Sequence, residues 1–394
     1  MRKNIFWLLP IVLFVSAIAP LKKKEKEKEK TPLEKLSING LKFRCVGPAL
    51  TAGRISDIAV NPNNNSEYYL AVASGGVWKT SNSGNTYHPI FDSQGSYSIG
   101  CITIDPSNEH VIWVGSGENN NQRSVAYGDG VYKSNDGGKS WKNKGLKSSE
   151  HIGMIKVHPE NSNCVFVAAY GPLWSGGGER GLYKTDDGGE SWKLILEGDE
   201  NTGVNEVHID PNHPNIMYAT AHQRRRHVYT YVGGGLGSKI YKSIDGGDNW
   251  FELKNGLPNS IKGRVGMAVS PVNSDILYAI IEAEKDNQGV YKSIDRGASW
   301  SKVNKYVTSG NYYQEIICDP NDENVLYFMD TWLHHSKDGG RTIEKTGEKS
   351  KHVDNHCMWI DPNDTDHWIV GCDGGVYETW DHASNWDFKS NLPI

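Results

Sequence analysis

The sequence predicts an all-β protein, a seven-bladed β-propeller built from four-stranded blades. Three observations carry that expectation. An eight-residue box of the form Ser/Thr-x-Asp-x-Gly-x-x-Trp recurs seven times, clean or degenerate, along 394 residues. Around each box lie four short apolar stretches separated by turn residues. No segment between them shows a helical period. Repeated four-strand units of this kind close radially into a propeller, which leaves only short sheet edges.

The box is clean in Ser134-Asn-Asp-Gly-Gly-Lys-Ser-Trp141, Thr185-Asp-Asp-Gly-Gly-Glu-Ser-Trp192, Ser243-Ile-Asp-Gly-Gly-Asp-Asn-Trp250 and Ser293-Ile-Asp-Arg-Gly-Ala-Ser-Trp300. Degenerate copies occupy 80–87, 336–343 and 379–386. Counted at the third place (Asn82, Asp136, Asp187, Asp245, Asp295, Asp338, Asp381), the spacings are 54, 51, 58, 50, 43 and 43 residues. An Asp there accepts hydrogen bonds from the backbone of its own turn. Gly in the fifth place permits a positive φ, and the Trp covers the hairpin. These are structural roles, and the copies vary too freely to be seven equal calcium or sugar sites.

The unit 98–145 shows the strand order. Ile99, Ile102 and Ile104 mark a first strand closed by Asp105-Pro106, and 111–115 form a second. A variable loop follows, then a third strand at 130–134, the box, and a fourth strand from Trp141. The other first strands fall at 54–60, 151–157, 203–209, 264–269, 312–318 and 354–360, each closed by a Pro. Third strands repeat the pattern of Gly76-Val-Trp-Lys-Thr80, and only the sixth unit lacks a clean copy. The first strands are expected around the axis and the last at the rim.

Three segments result: a signal peptide at 1–19, a charged linker at 20–40 and the propeller at 41–394. Arg2 and Lys3 precede an apolar run of 15 residues from Ile5 to Ala19, shorter than the ~20 a membrane-spanning helix needs. Cleavage after Ala17 or Ala19 gives a secreted, periplasmic or cell-surface protein without a stable membrane span, and uncleaved anchoring is the second reading. The alternating Lys/Glu run at 22–30 buries nothing and reads as a solvated tether. A net charge of −5 argues against nucleic acid as the main partner. The six cysteines are scattered without a Cys-x-x-Cys pair, which favours buried thiols; Cys357 and Cys372 are the best pair for a bridge. No cofactor is indicated, and His334-His335 lacks a third metal ligand at suitable spacing.

The strand order puts the boxes and the turns between first and second strands on one face. Loops between second and third strands, and the links between units, share the other. That second set carries most of the length variation, and ligands generally sit on variable loops held by a rigid scaffold. It holds the candidate ligand-binding residues Arg54, Glu118, Asn119, Arg123, Trp174, His222, Arg224, Arg264, Trp332 and Asp373. Aromatic, Arg, amide and carboxylate groups converging on one concave face suit a glycan or a peptide. For several of them a bland role competes: 224–226 as a solvated run, Arg54 and Arg264 paired with Asp57 or a neighbouring unit's carboxylate, Glu118 as a hydrogen-bonding residue.

The box resembles that of Asp-box (bacterial neuraminidase repeat) propellers, a group that includes sialidases, xyloglucan-degrading glycoside hydrolases and the sortilin ectodomain. More narrowly, Phe43-Arg-Cys-Val-Gly-Pro48, Gly53-Arg-Ile-Ser-Asp57, Gly75-Gly-Val-Trp-Lys-Thr80 and Gly115-Ser-Gly-Glu-Asn119 resemble secreted bacterial proteins described as sortilin N-terminal-domain-like or BNR-repeat glycosyl hydrolases. Members of that group continue into a second propeller. For a xyloglucan hydrolase the resemblance implies one acidic residue in each of two propellers, whereas Ala73-Ser-Gly-Gly76 has no Asp at the corresponding place. The Arg-Ile-Pro signature of sialidases is absent at Arg44. The sequence therefore favours an exported, non-catalytic propeller that binds a glycan or peptide. The alternative is a glycoside hydrolase, xyloglucanase- or sialidase-like, that works with a second propeller; no catalytic residue is assigned.

Overall fold

The computed structural model describes residues 52–394. The signal peptide, the linker, the first eleven residues of the propeller segment and Cys45 lie outside the described residues.

Seven four-stranded antiparallel sheets follow one another along the chain, each assembled from the strands of a single unit, and blade 4 inserts a separate two-stranded hairpin, Arg225–Arg226 with Tyr231–Val232, between its second and third strands. Blade 1, for example, comprises Ile55–Val60, Tyr68–Val72, Gly76–Thr80 and His88–Pro89, and blade 7 comprises Asn355–Asp361, Asp364–Cys372, Gly375–Thr379 and Asp387–Phe388. The sixth unit does form its third strand, as the three-residue His334–Ser336. The first strands of successive blades stand side by side around an axis, and that of blade 7 also meets that of blade 1. This is the seven-bladed propeller the sequence predicts.

The core is divided among seven seams. Each hydrophobic cluster combines one face of a blade with the facing side of the next, as Tyr69, Ala71 and Val77 do with Ile102, Val114 and Tyr132 between blades 1 and 2. A central strand of a blade therefore buries both its faces, which is why Tyr68–Val72 is enclosed at all five positions and its sequence does not alternate. The closing seam joins Ile55, Tyr68 and Leu70 to Cys357, Ile369, Val376 and Leu392.

Around the axis, first strands approach one another closely, and β-bulges decide what fits there. Five first strands shift register near their start, leaving Ser56, Gly100, Gly153, Asn205 and His356 in the extra position. Ser56 Oγ donates to Ile99 O at 2.8 Å and Asn205 Nδ2 to Val265 O at 3.0 Å, each a carbonyl of the next blade. Gly153 meets the same kind of carbonyl with no room for a side chain, since a Cβ there would lie 2.3 Å from Asn205 O.

The boxes form a repeated hydrogen-bonded lock. In blade 4, Ser243 Oγ donates to Asp245 Oδ1 at 2.7 Å and accepts from Gly247 N at 3.0 Å, and Asp245 Oδ1 accepts from Asn249 N at 3.0 Å. The same bonds recur around Asp136, Asp187, Asp295, Asp338 and Asp381. Hydrogen bonds from Ser140 and Ser134 hold the Asp136 carboxyl down at about 2. The Trp does more than cover its hairpin: Trp141, Trp192 and Trp386 donate from Nε1 to Ile90, Lys144 and Gly347 of the preceding blade at 2.8, 2.7 and 2.8 Å. Each of these boxes thus fastens two blades.

The described cysteines, including Cys357 and Cys372, are all free thiols, so the proposed bridge is not formed. Cys101, Cys164, Cys357 and Cys372 are buried, and burial pushes each thiol up.

Two substitutions test these contacts. Ser243→Ala removes a buried hydroxyl with two partners and is expected to lower unfolding free energy by about 1–2 kcal/mol in urea titrations. Gly153→Ala, which forces a Cβ onto the Asn205 carbonyl, is expected to cost more, about 2–3 kcal/mol.

Candidate functional site

On the face opposite the boxes, the site is organised around Arg54, at the mouth of the axis. Its Nη1 donates to Glu118 Oε1 of blade 2 at 2.5 Å, and its Nε and Nη2 donate to the two oxygens of Asp373 of blade 7 at 2.6 and 3.2 Å. The Tyr312 ring lies 5.3 Å from its guanidinium carbon. One cation thus joins three blades through a carboxylate on either side. It is paired with neighbouring blades and not with Asp57, whose oxygens accept from Ile58 N and Ile102 N.

The two carboxylates differ. Glu118 is buried, and its Oε1 also accepts from Asn120 Nδ2 at 2.5 Å. Asp373 keeps about 33% of its side chain exposed and accepts from His356 Nε2 at 2.8 Å. Partial burial alone would raise the Asp373 carboxyl, but His356 and Arg54 outweigh it and hold the group well below the usual carboxylate range. Its ionised form is therefore locked in. His356 stacks on Tyr313 with ring centroids 5.3 Å apart, and Tyr313 donates from its hydroxyl to Asp354 at 2.6 Å.

The blade-2 loop crosses this mouth. Asn120 and Asn121 are buried, and Asn121 N donates to Asn311 O at 2.9 Å beyond the axis. Arg224 from blade 4 lies beneath them. It donates to Asn120 O at 3.0 Å, Asn121 Oδ1 at 2.7 Å and Gly171 O at 3.0 Å, with its guanidinium over the Tyr170 ring. Arg226 donates to Asn121 O and sits over Tyr231. The stretch 224–226 is consequently not a solvated run. Backbone carbonyls and two tyrosine faces shelter these charges in place of carboxylates, and burial still lowers the Arg224 guanidinium to about 10.

The other sequence candidates fall into two groups. His222 and Arg264 are buried. His222 hydrogen-bonds the Tyr170 hydroxyl and Gly233 O, and burial pushes it down to about 3, so it stays neutral. Arg264 reaches inward, with Nη2 3.5 Å from Glu315 Oε1. Asn119 is half-buried and Arg123 exposed on the blade-2 loop. Trp174 and Trp332 are 44% exposed on the loops of blades 3 and 6, and Tyr127 and Tyr229 are more exposed still. Trp174 is presented by a loop folded around buried Arg180, which donates to the carbonyls of Gly177, Tyr170, Pro172 and Ser175.

His356, Tyr313 and the crossing role of Asn121 did not emerge from the sequence. His356 left no signal in the hydrophobic pattern, because it occupies the extra position of a β-bulge. Among the described residues no group of three His, Cys, Asp or Glu side chains is placed to hold a metal.

The axis also holds a cavity of about 560 Å3, lined by first strands of blades 3 to 6 including Met154, Glu206, Met267 and Glu315. Burial pushes the Glu315 carboxyl up to about 8 despite Arg264, and Asp57 up to about 6 despite its two backbone donors.

Comparison with known proteins agrees with the architecture. The family described as "Sortilin-Vps10: Sortilin, neurotensin receptor 3" matches residues 181–331. A xyloglucanase of Hypocrea jecorina is 28% identical over 198 residues, covering 47% of this chain and 21% of that protein. Xyloglucanase Xgh74A of Acetivibrio thermocellus is 29% identical over 152 residues, 36% of this chain and 16% of its own length. The chain thus spans about a fifth or less of these relatives. Among solved structures, the GH74 xyloglucanase of Xanthomonas campestris superimposes with a TM-score of 0.66 at 14% identity, over 89% of this chain and 56% of that one; at that identity it shows the fold alone. The relatives are glycoside hydrolases, which favours the hydrolase alternative over the non-catalytic reading.

Glu315 supplies a pH prediction. A carboxyl raised to about 8 in the folded state keeps a proton that the unfolded chain releases near its ordinary value of 4.5. Its contribution to stability is complete below about pH 4.5 and is lost as pH rises towards 8. Glu315→Gln is expected to flatten the fall in urea midpoint between pH 5 and 8 and to leave the variant the more stable protein at pH 8.

Proposed function

We propose that this chain is an exported propeller that acts on a β-glucan of the xyloglucan class, its loop face forming one wall of the substrate cleft of a glycoside hydrolase. The observation that carries the reading is the company kept by the ionised Asp373. It sits with Arg54 at the centre of a face on whose loops Trp174, Trp332, Tyr127 and Tyr229 stand exposed. Aromatic faces take the apolar faces of sugar rings, and charged groups between them bond hydroxyls. The xyloglucanase relatives point to the same substrate class.

Glycoside hydrolysis requires a proton donor and an ionised carboxylate. Asp373 suits the second role, as base or nucleophile, because His356 and Arg54 stabilise its charge. Glu118 is clamped by Arg54 and Asn120 in the blade-2 loop that crosses the mouth, away from solvent. The stretch Ala73-Ser-Gly-Gly76 has no Asp where the resemblance implies an acid. The proton donor in this reading comes from a second propeller facing the first.

Titration calorimetry with xyloglucan oligosaccharides tests the substrate class. Saturable binding is expected, weakened at least tenfold by Trp174→Ala and by Trp332→Ala and changed by less than about threefold by Asp373→Asn. No binding to xyloglucan, or binding indifferent to both tryptophans, would sink the proposal. In an assay of this chain together with a facing propeller that supplies the acid, reducing-end release that survives Asp373→Asn would remove that carboxylate from the reaction.

A further inference from the structure

We propose that the seam closing the propeller between blades 7 and 1 is a pH-sensitive latch, held shut by protonated His367. The closing seam differs from what a shared strand would give, since blades 1 and 7 each complete their sheet from their own unit. Apart from one backbone bond, from Ala52 N to Gly374 O at 3.0 Å, side chains hold it. Leu392, from the segment after the last strand, is fully buried in its apolar cluster, and Asn391 Nδ2 donates to Asn85 O of blade 1 at 2.9 Å.

Beside that cluster lies a group of charges. His367 Nε2 donates to Glu378 Oε1 at 2.7 Å, and its Nδ1 lies 3.3 Å from Asp361 Oδ2. The same Asp361 oxygen accepts from Asn65 Nδ2 of blade 1 at 2.7 Å, directly across the seam. Glu378 is buried and also pairs with Lys389, which continues into the segment carrying Asn391 and Leu392. Lys389 in turn reaches Asp387 at 2.8 Å, at the solvent side. From blade 1 the facing polar groups are the Tyr68 and Tyr87 hydroxyls, bonded to each other at 2.6 Å, and neither titrates near neutrality. The Trp359 and Trp380 rings flank His367, at 86° and 8° to its plane.

Counting the enclosed charges gives the device. With His367 protonated, Asp361 and Glu378 are matched by His367 and Lys389, and the group is neutral. Loss of the imidazole proton leaves one uncompensated negative charge in a poorly solvated seam, and it also removes one of the two N–H donors. Burial works against the imidazolium, but Glu378 and Asp361 outweigh it and raise His367 above its ordinary 6.5. The stabilisation is therefore complete below about pH 6.5 and is lost as pH rises through the higher folded value. No backbone ladder crosses the seam between the two sheets, so weakening there frees the first strand of blade 1 and residues 389–394 before the other blades.

Hydrogen exchange at several pH values, corrected for intrinsic amide rates, reads this region by region. Between pH 6 and 9 the wild type is expected to lose at least tenfold more protection over Ile55–Val60 and 389–394 than over the blade-3 strand Ile152–His158. The regional contrast separates this effect from titration of Glu315 in the axis. His367→Gln is expected to show the weakened seam at every pH, and His367→Gln with Asp361→Asn, which restores neutrality, to recover protection without the pH dependence. A flat wild-type profile, a loss equal in blade 3, or a pH dependence that persists in His367→Gln would overturn the latch. Should the single variant not fold, the wild-type regional profile and the double variant decide.

Discussion

Closing a ring of blades without exchanging a strand is the constraint on which the rest of this structure depends. Six seams join consecutive blades, whose link through the chain keeps them at high effective concentration. The seventh brings together segments about 300 residues apart and is held by side chains and a single backbone bond, Ala52 N to Gly374 O. Ile55, Leu70, Ile369 and Leu392 supply its apolar part, Asn65 and Asp361 a polar tie, and Arg54 with Asp373 an ion pair at the loop-face end. Apolar burial supplies affinity without direction. The polar pairs fix register, which matters where a small rotation of blade 7 would displace every residue at the mouth.

The same closing contact assembles the candidate site. Arg54 opens blade 1, Asp373 lies just beyond the second strand of blade 7, and Glu118 belongs to the loop that blade 2 sends across the axis. A single guanidinium can satisfy both carboxylates because its donors form a planar fork with separate edges, which a lysine ammonium could not reproduce. Site geometry and ring closure thus share one interaction. A change at Arg54 would expose a buried carboxylate at Glu118 and loosen the last seam together, so loss of ligand binding in such a variant would not by itself identify Arg54 as a ligand contact.

Seven boxes, their spacing and the Pro-closed first strands made the fold legible, because each is a local pattern with a local cause: a hydroxyl and a carboxylate lock one turn, and a Pro ends one strand. The candidate face was legible as a set of loops, and Arg54, Glu118 and Asp373 from that set do meet. The fate of 224–226 was not legible. Three consecutive arginines read as solvated by composition, yet Arg224 and Arg226 are enclosed because Tyr170, Tyr231 and the carbonyls of Asn120, Asn121 and Gly171 converge from other blades. Such shelters arise only once the ring is closed. His356 escaped notice for a related reason. A bulge rotates it out of the alternation of its strand and turns it towards Asp373, and bulges leave little trace in a hydrophobic pattern.

The plug formed by Asn120 and Asn121 divides the molecule functionally. Below it, the axis holds Asp57 and Glu315, carboxyls raised by a burial that outweighs two backbone donors at Asp57 and the Arg264 charge at Glu315. Above it, Asp373 has two cationic or donor partners and stays ionised while a third of its side chain remains open. The two environments push chemically similar groups in opposite directions, and of the three only Asp373 is held in its ionised form. A carboxylate that cannot take up a proton cannot be the acid of a hydrolytic pair. In the proposed reaction Asp373 enters as an acceptor, and the proton comes from the other side of the bond.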